Sequence, residues 1–174
     1  MRIIVEQHSA IVLRASSVRV STVTLFDNQL GKIQGIEGRG ISLSHGAMIT
    51  YHPVKKGFRY FLKDVSLIRM PLEWARENFL FFHHVLELYE HFVPWESHSE
   101  TLFTLASFLY SHSEALKSRQ AQKRFLQSFY QRVGMFPETK DLTLDQWIIA
   151  CVNENPQVLK FKTAGFLKEL QAHD

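Results

Sequence analysis

At 174 residues, with 45% hydrophobic and 21% charged side chains and few Gly and Pro, the chain is large enough for one big domain or two small ones and is too apolar to stay disordered. No apolar run approaches the roughly 18 residues of a membrane span, "MRIIVEQHSAIVLRA" lacks the cleavage site of a signal peptide, and the single Cys151 excludes a disulfide framework or a zinc site of paired cysteines, so a reducing cytoplasm is expected. The net charge of +3 is uneven: residues 1–70 hold ten Lys/Arg against four Asp/Glu, and residues 71–174 hold ten against thirteen, which points to an anionic partner for the front half.

The first seventy residues read as strands. "IIVEQHSAIVLRA", "VRVSTVTLFD", "KIQGIEGR", "AMITYHPV" and "FRYFLKDVSLIRM" are rich in β-branched and aromatic residues, and turn-type clusters separate them at Ser16-Ser17, Asp27-Asn28, Gly38 to Gly40 and Lys55 to Gly57. In the second strand Ser21, Val23 and Leu25 share one face and Val20, Thr22, Thr24 and Phe26 the other, so both faces carry apolar side chains. Five short strands in succession predict a small closed barrel, because closure removes exposed edges.

At Pro71 the period changes. "PLEWARENFLFFHHVLELYEHF" places Trp74, Asn78, Phe81, Val85, Leu88 and Phe92 near one helical stripe, and Glu73 and Glu77 suit its start. "VPWESHS" breaks the pattern. A second helix follows in "ETLFTLASFLYSHSEAL", with Leu102, Leu105, Leu109 and Leu116 inward, and a third in "RQAQKRFLQSFYQRVGMF", with Phe125, Phe129 and Val133 inward and Gly134 as its stop. "TLDQWIIACVN" reads as a short helix capped by Thr143, and "TAGFLKELQAH" as a weaker last one. The expected architecture is α+β in two parts: a five-stranded OB-type β-barrel over residues 1–70, then an all-α helical domain over 71–174.

The glycines of "TLFDNQLGKIQGIEGRG" raise the question of a phosphate loop. A Walker-type loop needs four residues between its first Gly and a Gly-Lys-Ser/Thr that opens a helix, but here Gly31-Lys32 precedes Ile33. The spacing of Gly31, Gly35, Gly38 and Gly40 matches no dinucleotide fingerprint either, so these glycines read as bends of a coiled barrel. Among the nine histidines, His84, Glu87 and His91 fall on one side of a helix. The Glu-x-x-His and His-Glu-x-x-His spacings are absent, and the group reads as a solvated polar face rather than a metal site. Cys151 lies in the apolar run "WIIACV" and reads as a core thiol. With no nucleophile elbow either, neither an enzyme nor a cofactor is expected.

Binding is the remaining chemistry. A basic barrel with aromatic side chains suits single-stranded nucleic acid, where cations track phosphates and rings stack on bases. The candidate cations are Arg14, Arg19, Lys32, Arg39, Lys55, Lys56 and Arg59, with Tyr51, Phe58 and Tyr60 as candidate stackers.

The succession of motifs resembles the recombination mediator RecO family. "AIVLRASSVRVSTVTLFDNQLGKIQGIEGRG" is similar to its opening strands, "LKDVSLIRMPLEWARENFLFFHHVLELYEHFVPWESHSETLFTLASFLYSH" to its first helices, and "KRFLQSFYQRVGMFPE" to the helix that ends in a Gly-x-x-Pro turn; the likeness covers roughly residues 10–138. The resemblance implies an oligonucleotide-binding barrel, single- and double-stranded DNA binding and annealing, and partnership with RecR in DNA repair, in a nucleoid-associated cytoplasmic protein. It also implies contact with the acidic tail of single-strand binding protein, for which Lys123, Arg124, Phe125, Phe129 and Arg132 are the nearest matching positions. The four-cysteine zinc module of many relatives has no counterpart here, so the resemblance is to a reduced form of the family or to a paralogue with changed partners. "GRGISLSHG" offers only Arg39 where many relatives carry a dense basic cluster. That difference motivates an alternative expectation, a protein-interaction adaptor of the same shape that has lost most DNA binding.

Overall fold

The computed structural model describes residues 6–16, 22–38, 43–70, 72–135, 137 and 141–171. Alternating side chains in the front half form β1 (His8–Ser16), β2 (Thr22–Asp27), β3 (Gly31–Ile36), β4 (Met48–Lys56) and β5 (Arg59–Arg69), closed in the order β1-β2-β3-β5-β4. All neighbours are antiparallel except β3 and β5, which pair in parallel at Gly35↔Tyr60 and Ile36↔Phe61. This is an OB-like barrel, as the strand pattern predicts. β1 serves two neighbours, pairing with β4 through His8–Ile11 and with β2 through Ala10–Ser16, and an irregularity between Val12 and Arg14 bends it between them.

The barrel interior follows a period of two: Ala10 and Val12, Val23 and Leu25, Ile49 and Tyr51, Tyr60 and Leu62, with Ile33 and Ala47, form one buried cluster. The opposite faces of β1 and β2 are buried as well, at Ile11, Leu13 and Phe26. Phe26 lies against Tyr89 (ring centroids 5.2 Å apart) and Phe103 (5.7 Å), which accounts for apolar residues on both faces of that strand.

The helices are α1 (Leu72–Glu77), α2 (Phe79–Phe92), α3 (Glu100–Ser111), α4 (Arg119–Arg132), α5 (Leu144–Glu154) and α6 (Gly165–Gln171), with 3₁₀ turns at Ser113–Lys117 and Pro156–Lys160. The single helix expected from Pro71 onward is broken at Asn78. Its side chain accepts from Gln122 Nε2 (3.0 Å), and its carbonyl takes the Phe82 N–H as the first rung of the α2 ladder, so Asn78 marks the start of a new helix. The second expected helix tightens into 3₁₀ after Ser111, whose hydroxyl bonds back to the Ser107 carbonyl. α4 stops as predicted: Gly134 takes φ +79, and the Met135 and Gly134 N–H groups reach the carbonyls of Tyr130 and Gln131. α5 begins with a reciprocal capping box between Thr143 and Gln146.

The chain divides into two compact units. The first comprises Met1–Pro71 with Tyr89–Phe103, so the segment joining α2 to α3 is grouped with the barrel; the second comprises Leu72–Leu88 with Thr104–Asp174. In the second unit Phe81 packs edge-on against Phe125 and lies 5.6 Å from Phe166, and Tyr130 lies against Trp147. Cys151 is fully buried there and burial pushes its thiol up to about 12, which agrees with a core thiol.

Candidate nucleic-acid interface

Barrels of this topology bind oligonucleotides on the outer face of strands 2 and 3 and at the β1–β2 and β4–β5 loops. The β1–β2 loop lies outside the described residues. The β4–β5 connection is a two-residue turn, Gly57-Phe58, closed by the pair Lys56↔Arg59. Gly57 has φ +61 and Phe58 does not share the positive φ, so the turn is of the type II′ kind that matches the twist of a hairpin.

This turn gathers three of the predicted cations, all exposed: Lys55, Lys56 and Arg59. Lys56 and Arg59 face each other directly across the ladder, an arrangement that repels in the absence of an anion. Neither has a carboxylate partner among the described residues; Lys56 lies 5.1 Å from the centroid of the Phe61 ring. Lys55 is held by Glu96 (3.1 Å) and lies 5.1 Å from the Tyr60 ring, and hydrogen bonds to Tyr60 and Glu96 raise its pKa. Phe58 stands at the tip, 98% exposed.

The other predicted cations go elsewhere. Lys32 is buried, at 3% exposure, which corrects its assignment as an exposed phosphate contact. Its ammonium donates to the Glu90 carbonyl (2.6 Å) and lies 4.7 Å from the Trp95 ring, while its carbonyl accepts from the Glu96 N–H. Burial draws the Lys32 pKa below the ordinary lysine value against the pull of the Glu90 carboxylate. Residues 89–103 thus cover Phe26 and Lys32 on β2 and β3. Arg14 is exposed and meets Glu90 at 3.3 Å. Arg19 and Arg39 lie outside the described residues. Tyr51 and Tyr60 face the barrel core and are not stackers. Tyr51 donates to Asp27 (2.5 Å), which also accepts from His8 and from the Gln29 and Leu30 N–H groups, and burial beside that carboxylate raises the phenol pKa.

No protein-family model matches the chain, and no curated protein matches its sequence.

On α4, three of the five positions that the resemblance implies for a protein partner are buried: Lys123, Phe125 and Phe129. Lys123 pairs with Asp145 at 2.7 Å, so it braces α4 against α5. Arg124 and Arg132 are exposed. Arg124 borders an apolar groove of about 300 Å³ lined by Leu105, Phe108, Leu116, Ala121 and Phe125.

The helix face of His84, Glu87 and His91 is solvated only in part: His91 is exposed as expected and Glu87 is half-buried. His84 is fully buried, with Nδ1 3.0 Å from Thr163 Oγ1, and Glu87 accepts from the N–H groups of Lys162 and Thr163 and from the Thr163 hydroxyl. Among the described residues no cluster of three or more His, Cys, Asp or Glu could hold a metal, and no helix is long and apolar enough to cross a membrane.

Proposed function

We propose that the chain is a DNA-binding mediator of recombination and repair, of the RecO kind its sequence resembles. The β4–β5 hairpin would hold phosphates, and the helical unit would recruit single-strand binding protein and a RecR-like partner. The observation that carries the reading is the unneutralised pair Lys56 and Arg59 beside Lys55 on a two-residue turn. Like charges set directly opposite each other cost stability, and an anionic backbone offsets that cost. The groove bordered by Arg124 is where an acidic tail with an apolar end group would sit.

A second reading, a protein-interaction adaptor, is favoured by the covering of Phe26 and Lys32, since it closes part of the face that barrels of this kind most often use. Fluorescence anisotropy separates the two. A labelled single-stranded oligonucleotide is expected to bind at low salt with log affinity falling linearly in log salt. Replacing Lys55, Lys56 and Arg59 together by Gln is expected to flatten that slope by about 2, from roughly 0.7 per phosphate contact. A flat titration of the unaltered chain at low salt would sink the mediator reading. Binding of an acidic peptide that Arg124→Ala abolishes would then support the adaptor.

A further inference from the structure

Phe58 is the most exposed large apolar side chain among the described residues, at 98%, ahead of Leu67 at 63%. The fold gives no reason for a phenyl ring there. Gly57 alone meets the backbone demand of the turn, and the second turn position takes small polar residues readily. The ring contributes nothing to the barrel core, which is filled by Tyr51, Tyr60 and Leu62 from the same two strands. It is bracketed instead by cations: Lys56 and Arg59 close the turn on either side of it, and Lys55 precedes them. Nothing lies within 4 Å of where a Cβ on Gly57 would sit, so a flat group can approach the turn closely.

An aromatic ring held on a tight turn between cations has the two elements that single-strand platforms combine, a stacking surface and phosphate anchors. We propose that Phe58 stacks on an unpaired base, so that the hairpin prefers single-stranded to duplex DNA. The proposal rests on the DNA-binding reading and adds to it the choice of strand state. Cations grip phosphates whether or not the bases are paired, whereas a ring needs an uncovered base face, which a duplex interior does not offer. An anionic bilayer is the competing surface for a ring among cations, but a single ring fits it less well. The next exposed apolar side chains on this hairpin, Leu67 and Ile68, lie at the other end of β5, about 25 Å along the strand, so no continuous apolar patch forms at the tip.

The test compares the unaltered chain with Phe58→Ala and Phe58→Trp, using labelled oligothymidine and a blunt duplex of equal length at low salt. Because the side chain is exposed, the urea midpoint should not move. Phe58→Ala is expected to weaken single-strand binding by about 5- to 150-fold, the range of one lost base–aromatic stack, and to leave duplex affinity and the salt slope unchanged. Phe58→Trp should keep single-strand affinity and show indole quenching beyond that of the unaltered chain. An equal loss on both DNAs, or an unchanged single-strand affinity in Phe58→Ala, overturns the stacking role while the DNA-binding reading stands. Loss of binding to phosphatidylserine vesicles in Phe58→Ala, with DNA binding intact, overturns it in favour of a membrane. Failure of the unaltered chain to bind either DNA removes the parent reading and this one with it.

Discussion

Gly31→Ala is expected to destabilise the protein by about 2–5 kcal/mol. Two separate costs add. Gly31 takes φ +74, and an L side chain in that left-handed region costs about 1–2 kcal/mol. A Cβ there would also overlap the backbone carbonyl of Ser97, which cannot rotate away as a side chain could. Overpacking of this kind costs about 1–3 kcal/mol and forces a backbone shift. The shift would fall on residues 95–97, so Trp95 should leave Lys32 and the Glu96 N–H should lose the Lys32 carbonyl. Gly57→Ala places a side chain at positive φ (+61) with nothing within 4 Å, so about 1–3 kcal/mol is expected from backbone strain alone. Urea denaturation of both variants measures the difference. If Gly31→Ala lowers the midpoint no further than Gly57→Ala, the approach of residue 97 to β3 is not tight.

Two of the four glycines in "TLFDNQLGKIQGIEGRG" have a packing reason. Gly31 accommodates a neighbouring backbone. Gly35 faces the barrel interior, where a Cβ would press within 3.0–3.2 Å of the Leu62 side chain. Neither has anything to do with phosphate, and that conclusion was open to motif spacing. So was the barrel, because Val23 and Leu25 against Thr24 and Phe26 state a period of two directly. The hairpin was legible for the same local reason: "VKKGFR" carries its turn residue and its charges in six consecutive positions.

Long-range partners were not legible. Lys32 in a strand looks like any surface lysine, since Glu90 and Trp95, which bury it, come about sixty residues later. Lys123 has the same history with Asp145. His84 is a different case, because its signal was present. It falls three residues after Phe81 and four before Leu88, on the apolar stripe of α2, and its grouping with His91 by residue type hid that spacing.

His84 also sets the second large effect, a loss of stability in mild acid. Thr163 donates its hydroxyl proton to Glu87 Oε2 (2.5 Å), so its oxygen is left to accept, and His84 Nδ1 must carry the proton that bridges the 3.0 Å between them. Nε2 is then a buried lone pair with no partner among the described residues, and the rings of Phe161 and Phe166 lie 5.9 and 5.4 Å away. Protonation would bury a cation with an unsatisfied N–H. Burial lowers the His84 pKa to about 4, although the Glu87 carboxylate pulls the other way. Burial would raise the pKa of Glu87 itself, but the hydrogen bonds from Thr163 and Lys162 outweigh it and leave it depressed. The sign is the same for both groups. Between the ordinary histidine value and about 4, the unfolded chain binds a proton that the folded chain refuses. The stabilisation is therefore complete above about pH 6.5 and drains away as pH falls. For His84 alone the expected loss is about 2 kcal/mol by pH 5 and about 3 kcal/mol by pH 4. Glu87 adds to it only below the ordinary carboxylate range. The check is urea denaturation from pH 7.5 to 4 on the unaltered chain and on His84→Leu. Every other side chain is common to both chains, so the difference between them isolates position 84. The variant should lose most of the slope between pH 6.5 and 4, so the two curves converge in acid. Parallel curves would mean that His84 takes up its proton as easily folded as unfolded, and that the buried link between α2 and Thr163 is open to water.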